Sequence, residues 1–586
     1  MRGNAKPDTM SPDTIRTPGL QTSRALIFCA FLVALFTMFA GLGKLALMEP
    51  DEERNSEVAR EMKQSNAWLV PTYNGLPYLD KPAFYFKTVA LSFSAFGETR
   101  AAARLPSALF GFGLLALLFA FCRRFYNDRC AAMAVIVVAT SPLYVAFARL
   151  VIMDMALAFF VSAAIFAGFC AEQVERNRSR WYLLGAAASG FATLVKGPVG
   201  FVLPGLVLGI FHWLDHRRGT FKRLFAPLNL IVFFVITLPW FLGVTRAHPD
   251  FAYYGIIEES FHRYTTGAFR RTGPFYYYVP WLLAGCFAWS VLLPESIVAA
   301  WKTRSRWSHA DRLFIVWSIV LVVFFSISQS KRPDYVLTAV VALGALMARV
   351  FDLALTGNGD RATRLVLRAT TLLAVVSAAG AGLLTLSVVR PGTMERLLRI
   401  RSEEFAWLAP VFPPAMGGLV LITIVACVAR WRRNLRVGFA AFLLLPLVVL
   451  TAGFPGLARY ANAKSNATFA SRLPELPPYA EIVCLQCFRS GLPFYLKRFV
   501  TVVTDGGKEF TSNYIIFMLN NTKSWPEGVV RLSERNRWLA SRDHPLYLIA
   551  RKSGRESLES LATARGATVT ELEPGWWGAL VPAVPR

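Results

Sequence analysis

The sequence predicts a polytopic α-helical membrane protein that ends in a small α/β domain, and three observations predict it. Of its 586 residues, 55% are hydrophobic and only 17% are charged, against about a quarter charged in a soluble domain. Apolar runs recur that are long enough to cross a hydrocarbon core of about 30 Å as helices. Lys and Arg cluster in the short segments between alternate runs, as the positive-inside rule requires of cytoplasmic loops. That placement also excludes nucleic-acid binding as the reason for the net charge of +26.

Residues 1–24, with Arg2, Lys6, Arg16 and Arg24, predict a disordered cytoplasmic tail. The run Ala25–Leu47 is too long for a signal-peptide core and lacks an A-x-A cleavage site, so it predicts a retained anchor. Further runs near 103–122, 131–148, 154–171, 182–195, 198–214, 226–244, 275–299, 313–328, 335–351, 366–388, 408–429 and 437–454 bring the expectation to about thirteen spans. With the N-terminus inside, the inside loops hold Arg123, Arg124 and Arg129, then Arg176 to Arg180, His216 to Arg223, Lys302 to Arg312, Arg361 to Arg368 and Arg430 to Arg436. An odd number of spans leaves the C-terminus outside, in the periplasm of a Gram-negative cell. The expected spanning unit is thus 25–455.

From Gly456 to Arg586 the composition becomes that of a soluble domain. Glu481–Gln486, Phe499–Thr504 and Leu546–Ala550 predict strands, and Leu492–Lys497 and Glu556–Arg565 predict helices. No Gly-rich phosphate loop or nucleophile elbow occurs there, so an accessory lid or docking role is expected. Six cysteines lie in or beside apolar runs, where a thiol packs as a small hydrophobe. Cys484 and Cys487 form a single C-x-x-C, too few ligands for a zinc site, and in a strand their side chains face opposite ways.

Residues out of place in plain loops gather in the outside connections. Met48 to Arg100 opens with Glu49-Pro50-Asp51-Glu52-Glu53-Arg54. Asn55 to Gln64 then predicts a short helix on the membrane surface, with Val58 and Met62 facing lipid. Asn74-Gly75 is a turn signal, and Asp80-Lys81-Pro82 follows. The next connections carry Arg149 and Asp154, then Lys196-Gly197-Pro198, then Glu258, Glu259, His262, Arg263, Arg270 and Arg271, and finally Ser330-Lys331-Arg332-Pro333-Asp334. Charges near membrane depth are costly and usually face a polar cavity. Carboxylates beside several cations suit a reaction in which an acceptor is deprotonated and an anionic leaving group, such as a lipid phosphate, is stabilised.

These residues also carry a resemblance. Asp51-Glu52-Glu53-Arg54 through Glu57-Val58-Ala59-Arg60-Glu61-Met62 is similar to the opening motif of bacterial polyprenyl-phosphate-sugar glycosyltransferases. That superfamily includes the aminoarabinose transferases acting on lipid A and, more distantly, the protein O-mannosyltransferases. Pro71 to Pro82 matches its next signature, P-x-x-N-G-x-x-Y-x-[DE]-K-P. Ala103 to Ser107, Arg149 to Asp154, Leu194 to Pro198, Glu259 to Tyr264, Gly273 to Tyr278 and Ser330-Lys331 with Pro333 and Tyr335 follow in family order. Two positions depart from the pattern: Asn55 replaces a common aromatic, and Asp334, after Arg332, stands where a His is common.

The resemblance implies a GT-C fold and an inverting transfer from a polyprenyl-phosphate-linked sugar to an envelope acceptor, lipid A or another glycan, with a protein acceptor as the alternative. It implies Asp51 as the acceptor-activating acid, with Asp154 and Glu52 as further catalytic carboxylates. Lys81, Arg270, Arg271 and Lys331 are implied to hold the donor phosphate, supported by Asp80, Arg54, Arg149, Lys196, Glu259 and Arg263. No metal or cofactor is obligatory in this scheme, although Asp51, Glu52 or Asp154 would suit a divalent cation. A transporter or flippase of lipid-linked sugars is the rival from another class, but transporters tend to show internal repeats and midplane charges, and neither is present here.

Overall fold

The structure is a computed structural model, and it describes residues 18–583 apart from 174–176, 216–218, 267–271, 294–296, 298–306, 358–359, 391 and 393–408. The tail to residue 17, Arg270, Arg271, Arg176, His216 to Arg218 and Lys302 to Arg306 therefore lie outside the described residues. Helices occupy the expected apolar runs. In chain order α1 is Pro18–Phe39, α2 Asp51–Ser65, α3 Phe84–Phe96, α4 Arg100–Phe125, α5 Asp128–Ala139, α6 Pro142–Ala148, α7 Asp154–Gln173, α8 Arg178–Lys196 and α9 Val199–Leu214. The helices Pro227–Ala247, His309–Ile327, Leu337–Leu355, Asp360–Val389, Phe412–Trp431 and Leu435–Ala463 complete the bundle.

Among the described residues eight helices are long and apolar enough to cross a membrane, and a ninth span results if the α5–α6 pair, bent by 70°, counts as one. The bend falls where Pro142 begins α6, because proline fits a helix start and breaks a helix interior. The stretch 275–299, expected as one span, contains a helix Tyr278–Gly285 and a 3₁₀ turn Trp289–Leu292. Two boundaries also move. The first helix starts at Pro18, inside the expected tail, and the last long helix runs to Ala463, past the expected domain edge at Gly456. Apolarity marks where a helix meets lipid, and both helices continue beyond it.

The C-terminal domain is a six-stranded sheet in the order β5-β4-β3-β6-β8-β7, with β3 Glu481–Leu485, β4 Thr501–Thr504, β5 Val529–Arg531, β6 Leu546–Arg551, β7 Thr570–Glu573 and β8 Trp576–Val581. The first four of that order run parallel, and β8 and β7 add antiparallel. Side chains alternate across the sheet with period two. Val483, Leu485, Val503 and Leu548 pack with Leu558 and Ala562 of the helix Arg555–Thr563. Ile482, Cys484, Val502 and Ile549 face the other way and join one apolar cluster with Val58, Met62, Tyr73, Tyr78 and Phe86.

That cluster corrects the expectation for α2. Val58 and Met62 are fully buried; they face the sheet domain and the membrane unit, not lipid. Burying each contributes about 1.5–3 kcal/mol. The Asn74-Gly75 turn holds: β1 Thr72–Tyr73 pairs antiparallel with β2 Leu76–Pro77 through φ values of 54° and 76°, the type I′ geometry that Asn-Gly favours. The Asn74 amide donates to the Val500 carbonyl at 2.8 Å, and the Val500 N–H donates back to its side-chain oxygen at 2.9 Å. The hairpin is thereby tied to the start of β4 in the C-terminal domain.

Candidate active site

Asp51 opens α2, so its carboxylate sits at the positive end of the helix dipole. Arg54, one turn on, donates to it at 2.5 Å. The other Arg54 terminal nitrogen donates to the carbonyl of Thr511 at 2.9 Å and to its hydroxyl at 3.1 Å. The guanidinium also lies over the Tyr78 ring at 5.6 Å. Arg332 approaches Asp51 from the opposite side at 3.8 Å, and its Nε donates to Asp334 at 2.9 Å.

Because α7 starts at Asp154 and α8 ends at Lys196, an antiparallel pair brings both residues to the same end of the bundle. Lys196 pairs with Asp154 directly and with Asp334 at 3.1 Å, with its ammonium 5.2 Å from the Tyr335 ring centre.

The third group follows the hairpin. Lys81 pairs with Glu259, which Arg263 also engages one turn later, and its Nζ donates to the Asp80 carbonyl at 2.7 Å. Burial pulls the Lys81 ammonium down to about 8, with Glu259 opposing the shift. Burial raises the Glu259 carboxyl, but Lys81 and Arg263 outweigh it and hold the group below its ordinary value.

The three groups enclose a cavity of about 260 Å³. Its charged lining is five cations, Arg54, Lys81, Lys196, Arg263 and Arg332, against four carboxylates, Asp51, Asp80, Asp154 and Glu259. Charge interactions strengthen when water is excluded. Asp334 stands behind the lining and pairs with Lys196 and Arg332; a small cavity that concentrates cations can still hold a phosphate and stabilise negative charge that develops on a phosphate leaving group.

The dolichyl-phosphate-mannose-protein mannosyltransferase family model matches residues 80–242. The undecaprenyl phosphate-alpha-4-amino-4-deoxy-L-arabinose arabinosyl transferase of Erwinia tasmaniensis is 31% identical over 536 residues, covering 89% of this chain and 91% of the relative. The chain belongs to this arabinosyl transferase family. A relative of the same description from Sodalis glossinidius, numbered 2, is 30% identical over 419 residues, covering 70% of this chain and 74% of its own. The crystal structure of ArnT from Cupriavidus metallidurans bound to undecaprenyl phosphate matches with a TM-score of 0.79 at 25% identity, over 96% of this chain and 99% of that one. The fold is GT-C, and the chain is a multi-pass membrane glycosyltransferase that uses a lipid-phosphate-linked sugar donor.

In this transferase Asp51, Arg54, Asp80, Lys81, Asp154, Lys196, Glu259 and Arg263 line the cavity. Asp80 also ties the sheet domain to the cavity wall, since its carboxylate accepts from the Ser512 hydroxyl at 3.0 Å and from the N–H groups of Asn513 and Tyr514 at 3.2 and 2.7 Å. Three expected site residues stand elsewhere. Glu52 points away from the cavity and accepts from Arg104 at 2.8 Å on both oxygens, from Met48 N–H at 3.1 Å and from Val151 N–H at 3.1 Å. Arg149 donates to the carbonyls of Thr37 at 2.9 Å and Met38 at 3.4 Å, and to that of Ala40, around the end of α1. Lys331 donates to the carbonyls of Ser326 at 3.0 Å and Ser328 at 2.5 Å. Arg149 and Lys331 satisfy carbonyls at helix ends, and Glu52 satisfies backbone N–H groups between helices, which would otherwise be left unpaired.

Arg332 occupies the place that Lys331 was expected to take. The S-K-R-P-D run announced cations at this point but not which of the two turns inward. Asn55, one of the departures from the family pattern, lines the cavity and donates to the Val151 carbonyl at 2.7 Å. Asp334, the other, pairs with Lys196 and Arg332. Thr511 and Asn513 of the C-terminal domain also line the cavity. Their only local signal is Ser512, which caps the helix Asn513–Asn521.

Proposed function

We propose that this transferase moves a 4-amino-4-deoxy-L-arabinose-type sugar from undecaprenyl phosphate to lipid A or another envelope glycan. The reaction takes place at the periplasmic face of a bacterial inner membrane. The observation that carries this reading is the single cavity in which five cations and four carboxylates meet, in a chain 31% identical to an arabinosyl transferase along nearly its whole length. The distribution of basic loops supports the orientation, because it leaves this end of the bundle and the sheet domain outside.

The step is a single displacement. An acceptor oxygen attacks the anomeric carbon, the bond from that carbon to the phosphate oxygen breaks, and its electron pair leaves on undecaprenyl phosphate. The configuration inverts. Asp51, partly open to the cavity, orients the acceptor and takes its proton where the acceptor is a hydroxyl. Lys81 and Arg263 hold the departing phosphate, and Arg332 and Lys196 add positive potential. These side chains supply the charge that a divalent ion would otherwise bring. A shared metal site is disfavoured because Glu52 is committed to Arg104 and Asp154 to Lys196. Turnover is accordingly expected to survive chelator treatment.

The test is acceptor-dependent release of polyprenyl phosphate by purified protein in lipid. Lys81→Ala is expected to lower turnover by about 10²–10³, the usual cost of removing one preorganised stabiliser of developing charge. Asp51→Asn should lower it comparably. Equal release by wild type and both folded variants would remove the site assignment. The mannosyltransferase match over 80–242 keeps a protein acceptor as the second reading, and labelled product found in the protein fraction rather than the lipid extract would select it.

A further inference from the structure

The sheet domain holds two thiols that its sequence alone would keep apart. In an extended strand, residues three apart face opposite sides. Cys484 lies in β3, opposite Val502 of β4 and Ile549 of β6, on the sheet face that meets the α2 region. The strand ends at Leu485, and Gln486 takes a φ of 50°, in the left-handed region. That turn swings Cys487 back into the same apolar cluster as Cys484. Both are free thiols, and the Cys487 thiol donates at 3.4 Å to the carbonyl of Ile549, the residue that stands opposite Cys484 in the sheet. Both residues are buried, at 1% and 4% exposure.

We propose that Cys484 and Cys487 are joined by a disulfide during maturation, a covalent modification that fixes the loop from Gln486 to Gly491 beneath α2. This rests on the placement of the sheet domain outside the cytoplasm, since disulfides persist in oxidising compartments. The loop is one of the parts of the domain that pack against the active-site helix and its hairpin. The Ser490 carbonyl accepts from the Tyr73 hydroxyl at 2.9 Å, and its N–H donates to Glu49 at 3.3 Å. At Gly491 a Cβ would lie 2.3 Å from a Glu53 oxygen, so the backbone there runs hard against α2.

The redox balance is simple. Each thiol gives up its hydrogen and a sulfur–sulfur bond forms. Two electrons and two protons pass to the disulfide of an oxidised dithiol protein in that compartment, which is reduced to a dithiol. The neighbouring Cys487 thiol, together with burial, pushes the Cys484 thiol well above its ordinary range. The folded pair is therefore a poor nucleophile, and exchange takes place before the sheet closes over it.

The test counts thiols in the full-length protein, alkylated under denaturing conditions directly from cells. Of the eight cysteines, six are expected to be alkylated without reductant and eight after it. The peptide containing Cys484 and Cys487 should be lighter by two hydrogens before reduction. Cys484→Ser should release Cys487, so that all seven remaining thiols react. In parallel, a protease-cleavable tag at the C-terminus is probed in spheroplasts. If the tag is cut from outside and eight thiols react without reductant, the disulfide is overturned while the orientation stands. If the tag is cut only after lysis, the orientation fails and the disulfide fails with it.

Discussion

Two carboxylates near opposite ends of one helix differ in how completely they are buried and paired. The helix Leu337–Leu355 has Asp334 just before its start and Asp352 in its last turn, about 27 Å apart at 1.5 Å per residue. Asp352 is closed: its side chain is 1% exposed and takes Arg129 at 2.8 Å, Arg349 at 2.9 Å and Asn127 at 2.9 Å. At the Asp334 end, Asp51 is 35% exposed toward the cavity, with Arg54 at 2.5 Å but Arg332 only at 3.8 Å. A carboxylate whose partners are all at hydrogen-bond distance braces the fold. One left partly open, beside clustered cations, can exchange a partner for substrate. Ion pairing alone does not mark a site; incomplete pairing around a void does.

Neighbours on α2 offer the sharpest way to break that contrast. Glu52 resembles Asp352, with its side chain and that of Arg104 both 2% exposed, although it stands next to Asp51. Glu52→Gln leaves the Arg104 guanidinium buried without a matching charge, which costs about 3–5 kcal/mol. The expected outcome is loss of folded protein, seen as a lowered Tm in detergent, with turnover per folded molecule close to wild type. Asp51→Asn should do the reverse. If Glu52→Gln kept its Tm and lost turnover, Glu52 would return to the site and the distinction between the two carboxylates would fall.

Much of this was legible in the sequence, and what was not has a physical reason. Apolar runs report helices directly, so the bundle was visible, as were the hairpin turn and strands β3, β4 and β6. Strand β5 has only three residues, too few for a periodic signal, while β7 is built of Thr, Glu and Leu and β8 carries Gly578 in its middle, residue types that weaken a strand signal. The motifs drew attention to the right loops. They could not separate Asp51 from Glu52, or Arg332 from Lys331, because adjacent residues share a motif while pointing in different directions. The lipid-facing expectation for Val58 and Met62 failed for a related reason: an amphipathic helix buries its apolar face against whatever apolar surface is nearest, and here that is the sheet.

Titration sharpens the contrast next. Among the cavity cations Lys81 is the one whose charge is most easily lost, because burial draws it down to about 8 even though it pairs with Glu259. The ammonium is charged below that pH and neutral above it, so phosphate binding is strong on the acid side and lost on the alkaline side. kcat/KM for the donor reports free-enzyme groups and is expected to fall about tenfold for each unit of pH above 8. Lys81→Arg keeps its charge through this range, so its alkaline limb should flatten even if its activity is lower. An unchanged alkaline limb in Lys81→Arg would assign the titration to another group.

The smallest expected effect asks whether the sheet domain belongs to the open cluster or only leans on it. Asn513 touches both Asp80 and Glu259, but by different parts. Its backbone N–H donates to Asp80 at 3.2 Å, whereas its side-chain amide reaches Glu259 at 3.5 Å. Asn513→Ala therefore keeps the docking contact and removes only the group facing the cavity. Losing a hydrogen bond of about 0.5–1.5 kcal/mol is about a two- to tenfold effect, expected in KM for the donor with Tm unmoved. An unmoved KM would make the domain a brace of the Asp352 kind, holding α2 and the hairpin in place from outside. A raised KM with unmoved Tm would make it the fourth wall of the site, because the amide would then act on substrate affinity rather than on the stability of the fold.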